Sequence, residues 1–472
     1  MGTLSKKLVT VITAIAVVTG GLINFSNPFI AKAANSDLKV ESEKAVSKST
    51  ASMTDEETVK YIEEGVILHA WCWSFNTIKA NLQDIADAGY HAVQVIPPNE
   101  CFNDGTGMAF GKPFEGGCWY FQYQPTDFKI GNYIVGTRDE FKSMCEAAED
   151  LGIKIIVDVV ANHTTEYEDK ISSSLYNISG GLYHSTGHQP ISSYSDRFSC
   201  TNQAMCNGGL PDINTENKAY QEYLLKYLQD CIDCGADGFR YDAAKHIGLP
   251  GEAGGGDFWP TILNGTSKGK NLFQYGEVLQ GDNENMAGYA QYMKVTASNY
   301  GGKMRGGSLN AGDLKDYSAP CSPDRLVTWV ESHDNYCNDG SNGVPDDKVR
   351  RAWAVLAARK ETTPLFFSRP QGGGPSNKFP EISKMGDVGS DAYKHPEVAA
   401  VNNFRNAMAG EDEKMTNQDD TLVIERGNKG IVIINGGGEK TVNIETSLPD
   451  GEYKEKAYGE TFTVSGGKIT GK

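Results

Sequence analysis

Gly238-Phe239-Arg240-Tyr241-Asp242-Ala243-Ala244-Lys245-His246 follows a helix-like segment that closes with Cys234-Gly235-Ala236-Asp237. Its first half reads as a β-strand, in which positions i and i+2 share a face, so Arg240 and Asp242 point the same way. Taken alone, the two residues are an ion pair at a strand end, an arrangement that adds little stability. The surrounding chain decides whether they are more than that.

Outward from this strand the chain alternates between strand and helix patterns. Upstream lie a short apolar run at 66–71, a helical pattern at 76–89 carrying Ile78, Leu82, Ile85 and Ala86, and a strand-like run at 92–96. A helix at about 138–151 and a nearly unbroken apolar strand at 154–160 follow, then a helix at 219–233 leading into Gly238. Downstream, strands at 272–278, 326–330 and 364–368 and helices at 348–360 and 396–408 continue the series, with a weak sixth strand expected between Met304 and Leu309. The predicted class is α/β, a (β/α)8 TIM barrel.

Residues 173–211 lack periodicity, are rich in Ser, Gly, Asn and Tyr, and are too long for an ordinary connection, so an inserted subdomain is expected after strand 3. After Gly410 short apolar runs alternate with Gly, Asn and Asp, the pattern of a C-terminal antiparallel β-sandwich domain. The expected division is a signal peptide (1–33), a flexible leader (34–60), barrel (61–163), insertion (164–215), barrel (216–409) and β domain (410–472).

The 472 residues carry a net charge of −17 with no basic cluster, which argues against nucleic acid or an anionic membrane as partner. Lys6-Lys7, an apolar run from Leu8 to Ile23 and Ala31-Lys32-Ala33 read as a secretory signal with its cleavage site, so a secreted, extracellular protein without a membrane span is expected. Export would permit disulfides among the ten cysteines, and local spacing suggests Cys101 with Cys118, Cys200 with Cys206, and Cys321 with Cys337. Cys231-x-x-Cys234 has no second ligand pair nearby and reads as structural.

In a β/α barrel the chemistry sits at the C-terminal ends of the strands. Polar residues gather there: Asp158, Asn162 and His163; Arg240, Asp242, Lys245 and His246; Glu277; and Glu331, His333 and Asp334. Asp242, Glu277 and Asp334, from three strands, are the equipment of a retaining glycoside hydrolase.

The segments Asp158-Val-Val-Ala-Asn162-His163, Gly238 to His246, Gly276-Glu277-Val278 and Trp329-Val-Glu-Ser-His333-Asp334 resemble the four ordered signature regions of the α-amylase family, glycoside hydrolase family 13. Leu210-Pro211-Asp212-Ile213-Asn214 resembles a fifth, and Val95 to Glu100 with Tyr123-Gln124-Pro125 resembles the animal-type branch. The resemblance implies an endo-acting enzyme that hydrolyses α-1,4 bonds of starch and maltooligosaccharides, with a monomer as the default.

It further implies Asp242 as nucleophile, held ionised by Arg240, Glu277 as an acid protonated at rest, and Asp334 as a grip on sugar hydroxyls. His163, His246, His333 and Lys245 would hydrogen-bond the substrate, and Trp119, Tyr120, Tyr123 and Gln124 would line the cleft. Calcium is implied on Asn162, Asp212 and the His246 carbonyl. The animal-type branch also binds chloride through the strand-four arginine, an asparagine before the His-Asp pair and a basic residue on a later helix. Here Arg240 matches, Ser332 replaces the asparagine, and Lys348, Arg350 and Arg351 are candidates for the third position. A transglycosylase or maltooligosaccharide-forming enzyme remains open, as does an inactive glycan-binding protein on the same fold.

Overall fold

Eight short strands, each supplied by a β/α unit, pair in parallel and close on themselves. A computed structural model describes residues 9–13 and 53–472, apart from 282, 419 and 420. In chain order the barrel strands are β1 (Ile67–His69), β2 (Ala92–Val95), β3 (Lys154–Val159), β4 (Gly238–Tyr241), β5 (Phe273–Gly276), β6 (Lys294–Thr296), β7 (Leu326–Trp329) and β8 (Thr363–Phe367). β8 pairs with β1 to complete the ring. Nearly every strand residue is buried, because the barrel interior and the outer helices cover both faces.

The sixth strand is not between Met304 and Leu309. It is Lys294–Thr296, and Ser298–Arg305 is a helix. A three-residue strand that opens on a lysine has no apolar pattern to betray it. The leader expected to run to residue 60 also ends earlier, since helix Asp55–Glu64 is fixed by a capping box between Thr54 and Glu57. Its Ile62 is fully buried in one apolar cluster with Ile67, Phe273, Tyr275 and Leu365, so this helix closes the foot of the barrel.

Between β2 and the following helix Arg138–Asp150 the chain makes an excursion. Asn99–Cys101 pairs antiparallel with Pro125–Asn132, and the helical turn Trp119–Tyr123 is carried between them. The stretch from β3 to helix Lys218–Asp233 holds only short helices and isolated bridges, among them His163 to Asp212. At the C-terminus, Glu413–Gln418, Thr421–Arg426 and Gly430–Asn435 form one antiparallel sheet. Val442–Glu445, Gly451–Lys454, Thr461–Ser465 and Lys468–Gly471 form a second. Val423, Ile431 and Ile433 pack on the second sheet, and Leu422, Ile424, Val432 and Ile434 pack on the barrel side. Burial on both faces explains their continuous apolar runs.

Of the expected signal peptide only Val9–Thr13 is described, as a strand antiparallel to residues 430–434; the rest of it, and the leader up to residue 52, lie outside the described residues. Among the described residues no helix is long and apolar enough to cross a membrane. All ten cysteines are free thiols, so none of the three expected disulfides is present. Cys200 is buried with its Sγ 3.4 Å from His246 Nδ1, whereas Cys206 is exposed on a left-handed turn. Cys337 is buried in helix His333–Cys337 and Cys321 is half-buried outside any helix or strand, while Cys118 is buried just before the Trp119 turn and Cys101 sits in a strand.

Candidate active site

The pleat of β4 puts Arg240 and Asp242 on one face, and barrel closure brings the neighbouring strand ends to them. Arg240 Nη1 donates to Asp158 Oδ1 (2.7 Å) and Oδ2 (2.8 Å) and to Asp242 Oδ1 (2.8 Å). Its Nη2 lies 3.0 Å from Glu277 Oε1. The chain turns at Ala243, which takes a left-handed φ of 49°, and the Ala243 N–H donates to Glu277 Oε2 at 3.0 Å. A residue without glycine's freedom, held in that conformation beside Asp242, is backbone strain of the kind found at functional sites.

Three carboxylates, Asp158, Asp242 and Glu277, share this one guanidinium, and Asp334 stands behind Glu277. Burial pushes Asp242 well above the usual carboxylate range against the pull of Arg240, and burial raises Asp158 to about 6. Asp334 is raised to about 7 by burial and by the charge of Glu277. Glu277 is also desolvated, yet Arg240, His333 and the Ala243 N–H hold it below the usual range. This direction runs opposite to the expectation of a Glu277 protonated at rest, because the Arg240 guanidinium and the Ala243 N–H favour its ionised form.

Aromatic rings wall this cluster. Tyr123 donates to Asp158 Oδ2 at 3.0 Å, and its ring stacks on His333 with centroids 5.1 Å apart. Trp119 meets His333 edge-on at 5.8 Å, and Tyr120 is exposed beside it. His333 Nε2 lies 3.7 Å from Asp334 Oδ1, and burial lowers this imidazole to about 3. His163 is buried against the Tyr123 carbonyl (Nε2 to O, 3.0 Å). His246 is buried with Nδ1 on the Cys200 carbonyl at 2.9 Å. Lys245 reaches the Leu279 carbonyl at 3.3 Å and lies over the Tyr194 ring at 5.9 Å. Gln124 stands apart, since its Oε1 accepts from Thr165 at 3.0 Å and so ties down the start of the insertion.

Among the described residues no group of three or more His, Cys, Asp or Glu side chains is arranged to hold a metal. A calcium site built on Asn, Asp and carbonyl oxygens is a different set, and two of its oxygens fit. Asn162 Oδ1 and Asp212 Oδ1 are both buried without a hydrogen-bond partner. Asp212 spends its other oxygen on His184 Nδ1 at 2.6 Å, and His184 Nε2 reaches Glu216 at 2.5 Å. Orphaned buried oxygens on a loop are costly unless a cation meets them.

The basic candidates for a chloride site do not reach it. Lys348, Arg350 and Arg351 lie on the outer helix Asp346–Ala358, where Arg350 pairs with Glu397 (3.1 Å) and Arg351 donates to the Gly436 carbonyl (3.0 Å).

Three features had no role assigned from sequence. Asp158 is the buried carboxylate that anchors Arg240, and its place at the end of β3 was the available signal. Glu331 is taken by Arg369 in a two-point pair (2.7 and 2.8 Å), which removes it from the cluster. Arg197, in the insertion, donates to the Lys245 carbonyl (3.1 Å) and pairs with Glu252 (3.1 Å), so it pins the insertion to the β4 loop.

The family description "Alpha amylase, catalytic domain" matches residues 78–299. An α-amylase from Butyrivibrio fibrisolvens is 44% identical over 87% of this chain and 46% of the relative. One from Clostridium acetobutylicum is 37% identical over 89% of this chain and 54% of the relative. The chain thus spans about half the length of these curated relatives. Among solved structures, α-amylase I from Eisenia fetida in complex with maltohexaose superposes with a TM-score of 0.69 at 21% identity, over 86% of this chain and 94% of that one.

Proposed function

The chain belongs to the α-amylase family through its barrel, and on that premise we propose that it is an endo-acting α-amylase hydrolysing internal α-1,4 bonds of starch and maltooligosaccharides with retention. The observation that carries this is a single buried guanidinium gripping Asp242 on one nitrogen and Glu277 on the other. Two carboxylates held by one guanidinium, with Asp334 acting on Glu277 through its charge, suit a two-step displacement.

Asp242 attacks the anomeric carbon while Glu277 protonates the leaving glycosidic oxygen; Glu277 then takes a proton from water, which attacks that carbon and frees Asp242. Asp334 turns to sugar hydroxyls, and Arg240, bonded to Asp242, opposes the effect of burial and favours its ionised form during attack. His163, His246, His333 and Lys245 orient the sugars, and Trp119, Tyr120 and Tyr123 offer them stacking faces.

Calcium would be held by Asn162, Asp212 and the His246 carbonyl, where its charge would join the insertion to the barrel. Export from the cell is supported by Lys6-Lys7 and the apolar run after them.

Loss of starch–iodine colour with the purified chain, compared with Glu277→Gln, tests this reading. Wild type is expected to clear the colour and the variant to lose about 10²–10⁴-fold in rate. A wild type that leaves the colour intact, or a variant that clears it equally well, would sink it.

A further inference from the structure

From the carboxylate cluster a row of aromatic rings runs outward. His333 meets Trp119 at 5.8 Å, Trp119 meets Tyr120 at 5.9 Å, Tyr120 meets Phe121 at 5.1 Å and Phe121 meets Phe114 at 5.9 Å, every pair edge-on. Phe121 is buried, whereas the two rings that flank it face solvent, Tyr120 at 38% and Phe114 at 57% exposure. We propose that Phe114 is a stacking platform for an α-glucan chain, carrying glucose units that lie past Tyr120 and away from the bond being cleaved. This rests on the hydrolase reading above and deepens it, since it makes long chains the preferred substrate.

Backbone conformation is the first ground. Phe114 sits in the turn between Gly111–Lys112 and Gly117–Cys118, which pair antiparallel. It takes a left-handed φ of 61°, a true outlier for a bulky side chain. Asp104 holds it there: the Phe114 N–H donates to Asp104 Oδ2 at 2.6 Å, and Asp104 Oδ1 accepts from the Thr106 N–H (2.9 Å) and hydroxyl (2.8 Å). At Gly117, with φ of 111°, a Cβ would collide with the Gly107 carbonyl, so the loop closes only around glycine. Strain that the surroundings enforce in this way gathers at ligand contacts.

Support and position are the second ground. The Phe114 ring also touches Phe102 and Tyr167, each at 6.4 Å, and those two stack on one another at 4.3 Å. A ring backed by three others loses little freedom when a ligand settles on it, and its exposed face offers a flat surface to the C–H face of a sugar. Scattered exposed apolar side chains, such as Ile382 at 76%, need no explanation. Phe114 differs because its row of rings begins at His333, beside Asp334.

The test measures binding by calorimetry on the full chain carrying Glu277→Gln, with soluble amylose and with maltotriose. Adding Phe114→Gly is expected to weaken amylose by about 2–10-fold and to leave maltotriose unchanged, while Phe114→Trp keeps amylose affinity. Unchanged amylose binding in the glycine variant, equal losses on both ligands, or a tryptophan variant as weak as the glycine one overturns the proposal and leaves the hydrolase reading standing. A protein that binds neither ligand before Phe114 is touched overturns both.

Discussion

Arg240 is one cation bound to three carboxylates with a fourth, Asp334, close by, and burial of that excess negative charge raises Asp158, Asp242 and Asp334. Asp334 shows the cost. Its pKa rises from the ordinary 3.8 to about 7, so its contribution to stability is fully present below 3.8 and is lost as pH rises through 7. Asp334→Asn has no charge to suffer that loss. Its melting temperature is expected to exceed that of wild type near pH 7, with the gap closing toward pH 4, while activity falls by about 10²-fold or more. Thermal melts across that pH range check the sign, and a gap that widens on acidification would refute it. Pairing of Arg240 with Asp242 was legible from the i, i+2 spacing. The anchoring of Arg240 by Asp158 was not, because those residues are 82 apart in sequence.

At the scale of elements, helix Asp55–Glu64 is the piece a composition-based reading misses. Its surroundings are polar, yet Thr54-x-x-Glu57 is a capping box, and that was the local signal available. Lys294 at the start of β6 pairs with Glu63 of this helix at 2.7 Å, so the weakest strand is tied to the element that closes the barrel foot. Ile62→Ala should destabilise by about 2–5 kcal/mol, since it leaves a cavity among packed barrel residues. Denaturant unfolding measures this, and a loss well under 1 kcal/mol would mean the helix is not part of the folded core.

At the scale of the whole molecule, the insertion and the C-terminal sheets are each joined to the barrel, by different means. The insertion is tied by Arg197, and under the calcium proposal an ion on the orphaned oxygens of Asn162 and Asp212 would tie it further. Exhaustive chelation is expected to lower melting temperature and activity together, with a loss of about 3–4 kcal/mol in stability if calcium is present at 100–1,000 times its Kd. Unchanged melting after EDTA would remove the calcium assignment. The C-terminal sheet is tied by packing and by Arg426, which donates to the carbonyls of Met408 (2.8 Å) and Ala358 (3.3 Å). Deleting residues 410–472 should expose that apolar face and give insoluble protein; a soluble, active barrel would show the sheet to be dispensable.

The sequence by itself determined the β/α alternation, the long insertion, the change of texture after Gly410 and the polar strand ends, because these are local patterns of periodicity and composition. Only the tertiary structure decided where β6 lies, that Glu331 is spent on Arg369, that the ten cysteines are free thiols, and that Asp158 anchors Arg240. Each of these depends on which distant residues barrel closure brings within a few ångströms, and on how many charges must then share one low-dielectric space.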